Sequence, residues 1–168
     1  GYDSVALLVH GVHFGGYNEP RLLHFSRVLA GLEWAVVTPD IEALRTYEIS
    51  ERAVSDIMRS AIWTMDESGL MDEPGKDKLG IFGISFAGGL ALSAAAQPEL
   101  KERVGFVFSF GGHADLKRTM LYLVTGDLPG GGKLQPHVYG QAVLVRQFAK
   151  HLVPREEVAP LRLLFLDY

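Results

Sequence analysis

Four short apolar runs constrain this chain more than any other feature: Val5-Ala6-Leu7-Leu8-Val9, Trp34-Ala35-Val36-Val37-Thr38, Leu79 to Ile84, and Val104 to Phe110. Each is too short for a helix and stops at a polar residue, proline or glycine (His10-Gly11, Pro39, Ser85 and Gly111), so each reads as a strand of a sheet. Segments of helical spacing separate them. Pro20 sits where a first helical turn accepts proline, and Leu22, Leu23, Phe25, Val28 and Leu29 follow it as far as Gly31. Ser50 offers an N-cap to a second helix, whose Val54, Ile57, Met58, Ala61, Ile62 and Met65 share one face until Gly69. A third helix spans Phe86 to Gln97, with Pro98 beyond it. The order βαβαβαβ predicts the α/β class, a parallel central sheet with right-handed crossovers and helices on both faces in three layers.

Ligands of such sheets bind beyond the carboxyl ends of the strands. Four loops leave that end here: His10 to Gly16, Pro39 to Glu42, the turn at Ser85, and Gly111 to Asp115. After Leu116 the pattern changes to a helix reaching Leu123, a glycine-rich loop from Gly126 to Pro136, a helix from about Tyr139 to Leu152, and a segment from Arg155 to the end. In that last segment Leu161 to Leu166 reads as helix rather than strand, because Pro154-Arg155-Glu156-Glu157 forms a helix start. The expectation is one domain over residues 1–168, with a core of about 1–116 and a helical cap-like region of about 117–168.

Composition narrows the function classes. With 48% hydrophobic and 21% charged residues the chain can bury enough apolar surface to fold. Its net charge of −4 and the lack of a basic run argue against a nucleic-acid partner. The strongest basic cluster, Lys101, Arg103, Lys117 and Arg118, is interrupted by Glu102 and Asp115. The chain has no cysteine, so disulfides, thiolate nucleophiles and cysteine-ligated zinc are excluded. No apolar run approaches the roughly 18 residues of a membrane span, and the expected setting is the cytoplasm.

The third run leads directly into Ser85. Gly83 and Ala87, two positions before and two after it, are small enough for a sharp strand-turn-helix, in which larger side chains would collide across the turn. Gly88 and Gly89 let the following helix approach the sheet. Such a serine is lifted above the strand ends as a candidate nucleophile. The alternative is a serine that merely N-caps the helix.

Taken together and in this order, Leu8-Val9-His10-Gly11 and Gly83-Ile84-Ser85-Phe86-Ala87-Gly88 resemble the α/β-hydrolase family over about residues 5–116. The resemblance implies a serine hydrolase with Ser85 as nucleophile. By position, His10 and Gly11 open the oxyanion loop, and the backbone N–H groups of Val12 and Phe86 form the oxyanion hole. It implies a small-molecule acyl substrate and chemistry that needs neither cofactor nor metal; the apolar helices expected after residue 116 favour an apolar ester over a peptide. The family's acid and histidine follow the nucleophile in chain order. Asp115, just after the fourth strand, is the acid candidate, against a role as N-cap of the next helix. His137 is the base candidate, with His151 behind it, against surface or capping roles; His113 precedes Asp115 and breaks the order. Ala87 stands where the family usually has glycine. Family members are generally longer, which leads to the expectation of a chain cut at both ends. A second class fits the same residues, a non-catalytic hydrolase-like binding domain without acid and base, and a third keeps the fold for carbon–halogen or carbon–carbon cleavage.

Other motifs fail on chemistry. Gly130-Gly131-Gly132-Lys133 lacks the phosphate-loop glycine at Asp127 and the hydroxyl at Leu134. No Gly-x-Gly-x-x-Gly follows a strand. His10-x-x-His13 could place two imidazoles near a metal and His113-x-Asp115 could add ligands, but zinc needs three or four well-placed ligands and His10 is already accounted for by the oxyanion loop. Trp34, Trp63 and the phenylalanines are expected in the core.

Overall fold

The computed structural model describes residues 1–72 and 77–164. Strands β1 (Ser4–Val9), β2 (Trp34–Val37), β3 (Leu79–Ile84) and β4 (Val104–Phe110) form one sheet in the order β2-β1-β3-β4, and every pairing is parallel. Helices α1 (Pro20–Gly31), α2 (Glu42–Arg45), α3 (Glu51–Asp66) and α4 (Phe86–Ala95) supply the crossovers and cover both faces. A first compact unit runs from Gly1 to His113, and a second begins at Ala114.

Pleat alternation divides the core. Ala6 and Leu8 of β1 and Phe82 of β3 point to the α1 side, where they meet Leu22 and Leu29, with Phe25, Trp34, Val36 and Ile84 packed around them. Phe25 and Trp34 both stand edge-on to Phe82, with ring centroids 5.8 Å apart. Leu7, Leu8 and Ile81 have no exposed surface, and each such burial contributes about 1.5–3 kcal/mol. Helix α4 packs on β1, β3 and β4, and α3 packs on α4 and β1. The first turns of α4 are buried all round, through Phe86, Ala87, Gly88, Gly89, Leu90 and Ala91. This accounts for a helix almost free of polar residues.

The second unit contains α5 (Leu116–Thr125), α6 (Val138–Leu152) and α7 (Arg155–Leu163). Gly126 closes α5 in the left-handed conformation, and Asp127 and Lys133 pair across the glycine-rich loop, Nζ to Oδ1 at 3.3 Å. The Arg146 guanidinium donates to Arg162 O at 2.5 Å and the Arg162 Nε to Arg146 O at 3.3 Å, which joins α6 to α7. Residues 165 and 166 of the C-terminal segment lie outside the described residues.

Several expectations need correcting. The helix from Ser50 stops at Asp66, short of Gly69, and Ser50 takes the N-cap position without a side-chain cap bond. Trp63 is 48% exposed because it falls off the stripe of Ala53, Ile57, Ala61, Thr64 and Met65 that α3 buries. Phe14, Phe106, Phe108, Phe110 and Phe148 are likewise exposed rather than core. No helix among the described residues is long and apolar enough to cross a membrane.

Candidate active site

The register brings the loops together. Val9 of β1 lies beside Gly83 of β3, and Ile84 beside Phe110 of β4, so His10, Ser85 and Gly111 leave the sheet side by side. Leu7 pairs with Val37, which puts the loop after β2 against His10.

Ser85 has φ 55° and ψ −133°, a conformation that L-residues rarely adopt. Such a residue costs on the order of 1–3 kcal/mol and persists only where its surroundings hold it. Here its N–H donates to Phe110 O at 2.8 Å, and its carbonyl accepts from Gly88 N at 2.8 Å. An N-cap serine has an extended backbone and a side chain bonded to the helix; Ser85 has neither, since its hydroxyl makes no cap bond.

The small neighbours are required by close approach. A Cβ on Gly83 would stand 2.7 Å from both Ala87 O and Gly88 Cα. One on Gly88 would collide with the Ser109 hydroxyl and stand 3.0 Å from Gly112 Cα. The start of α4 is thus held between the end of β3 and the loop after β4. Ala87 itself is fully buried. Phe86 is the first residue of α4, a position whose N–H has no partner within the helix and carries the positive end of the helix dipole.

The first loop lies against this turn. A Cβ on Gly11 would sit 3.3 Å from Ser85 Cβ and 3.2 Å from Ile84 O. Val12, next in the chain, is buried. His10 is 1% exposed and bonded at both ring nitrogens, Nδ1 to Gly11 O at 2.7 Å and Nε2 to Ile41 N at 3.1 Å. Burial is the main reason its pKa lies below the ordinary value, with Asp40 opposing and Arg45 adding to the shift. His13 is also pushed down by burial, and its Nδ1 accepts from Gly15 N at 3.0 Å while its ring stacks on Phe14.

The remaining candidates belong to the second unit and serve their own helices. Asp115 is the N-cap of α5, its Oδ1 accepting from Arg118 N at 3.0 Å. His137 is the N-cap of α6, its Nδ1 accepting from Tyr139 N at 3.1 Å. Among the described residues no group of three or more His, Asp or Glu has the arrangement of a metal site.

Two features of the site carry little signal in the sequence. Ile41 offers its N–H to His10, which becomes visible only through the β1–β2 register. His113 packs its ring against Phe86, centroids 5.9 Å apart, and over Gly89, where a Cβ would collide with it. The absence of a side chain at Gly89 was the available signal.

No family model matches the chain, and neither a curated protein nor a solved structure matches it. What the fold and the pairing pattern establish is a three-layer α/β architecture on a four-stranded parallel sheet.

Proposed function

We propose that the chain carries the nucleophile of a serine hydrolase of the α/β-hydrolase type, acting on a small apolar carboxylic ester. The strained backbone of Ser85, with a hydroxyl that does no capping, carries this reading. Ser85 Oγ attacks the carbonyl carbon as a general base takes its proton, and the carbonyl π pair moves onto oxygen. The Val12 and Phe86 N–H groups receive that oxyanion, each donor contributing ~10²–10³ in rate. Collapse expels the alcohol with the proton from the base, and water then releases the acyl group from Ser85. No cofactor enters these steps. Asp115 and His137 stand as candidates for the acid and base by chain order alone.

A fluorophosphonate probe tests the reading. The folded protein is expected to label, and Ser85→Ala to abolish labelling. Asp115→Asn and His137→Gln report on the assigned partners: a loss of ~10²-fold or more in labelling rate supports each, and an unchanged rate points to a base elsewhere in the protein. Unlabelled, folded wild-type protein supports a second reading, a hydrolase-like binding domain, which the capping roles of Asp115 and His137 favour.

A further inference from the structure

We propose that His10 is a positioning residue that ties the oxyanion loop to the loop after β2 and thereby fixes the direction of the Val12 N–H. The inference rests on the assignment of Val12 as an oxyanion donor. Its geometry is independent of that assignment.

The two bonds of the imidazole determine its state. Gly11 O can only accept, so Nδ1 carries a proton; Ile41 N–H can only donate, so Nε2 presents a lone pair. One species satisfies both, the neutral Nδ1–H tautomer. Protonation at Nε2 sets an N–H against the Ile41 N–H and breaks the link between the loops. The ring is almost wholly enclosed, so no water replaces the lost partner without the loops moving apart. The charged and titratable groups facing it are Asp40, Arg45 and His13. Asp40 and Arg45 pair with each other, Nε to Oδ1 at 3.1 Å, which offsets much of either field. The same pair borders the far end of the oxyanion loop: a Cβ on Gly16 would stand 3.1 Å from Arg45 Cδ and 3.5 Å from Asp40 Oδ1. Gly11, bonded to the ring and packed on Ser85, therefore leads into Val12 from a fixed point.

The test combines spectroscopy with labelling in the full chain. Long-range 1H–15N spectra should show His10 with a protonated Nδ1 and an unprotonated Nε2, persisting as pH falls below 6.5, the ordinary imidazole value. An Nε2–H tautomer, or titration at the ordinary value, overturns the proposal. His10→Leu removes both bonds, His10→Asn keeps only a donor toward Gly11, and His10→Gln supplies an acceptor for Ile41 that does not titrate. Amide exchange at Val12 and Ile41 should quicken at least tenfold in His10→Leu and His10→Asn and recover in His10→Gln. Fluorophosphonate labelling of Ser85 at pH 8 should fall ~10²-fold in His10→Leu, the scale of one lost oxyanion donor, and regain at least tenfold in His10→Gln. Folded His10→Leu protein with wild-type exchange and labelling refutes the positioning role. If wild type fails to label, the hydrolase reading fails alone, and the tautomer and exchange results still decide the role of His10.

Discussion

At Ser85 the backbone stores energy that the rest of the fold supplies. Replacing it by glycine relieves a strain of about 1–3 kcal/mol and adds about 0.5–1 kcal/mol of lost chain entropy. Ser85→Gly is therefore expected to be about 1 kcal/mol more stable than Ser85→Ala, which keeps the Cβ and the strain. Denaturant unfolding of the two variants measures this, and equal stabilities would show an unstrained turn. His10 makes a pH prediction. Its folded pKa is lowered, so the unfolded chain binds the proton more readily and stability rises with pH in that window. The contribution is complete above about pH 6.5 and is lost as pH falls through the lowered folded value. Unfolding midpoints of His10→Gln across the same range should have a shallower acid limb; parallel limbs would contradict the assignment. The position of Ser85 was legible because Gly83 and Ala87 flank it, and a strained backbone belongs to such a turn; a capping serine has the same neighbours, and only the observed φ of 55° separates the two.

Among the elements, β1 and β3 were readable because burial on two faces demands uninterrupted apolar residues, whereas β4 keeps the bounds of its apolar run although most of it is exposed. Helix α2 was not readable, since four residues give no periodicity. Trp63 misled because its residue type suggests burial while its phase on α3 points outward. The junction of β3 with α4 depends on contact between backbones. Gly83→Ala places a methyl 2.7 Å from Ala87 O, main-chain atoms that a rotamer change cannot move, and should cost about 3 kcal/mol or more. Gly31, the last residue of α1, has nothing within 4 Å of its would-be Cβ, and Gly31→Ala should be neutral or stabilising by up to about 1 kcal/mol. Thermal melts of the pair check the contrast. The caps add smaller terms. Asp115→Ala and Glu19→Ala, whose carboxylates accept from Arg118 N and Leu22 N, should each cost about 1 kcal/mol, read by the shift in denaturation midpoint.

Across the whole molecule, the sequence implied parallel strands but not the order β2-β1-β3-β4, which long-range pairing decides. That order leaves β4 at an edge, paired on one side with β3 and on the other with no strand among the described residues. Phe106, Phe108 and Phe110 share one side of this strand, 42%, 47% and 63% exposed, and the strand carries no charge. An uncharged aromatic edge promotes association of chains. Phe108→Lys is expected to raise the concentration at which light scattering first reports aggregates, and an unchanged threshold would remove β4 as the cause. The central claim concerns Ser85, and its most direct measurement is peptide mapping of the fluorophosphonate adduct by mass spectrometry, on the folded protein and on protein unfolded in denaturant. About one adduct per chain is expected, on Ser85, formed only in the folded state. Labelling spread over several hydroxyls, or equal labelling of Ser85 after unfolding, would contradict it.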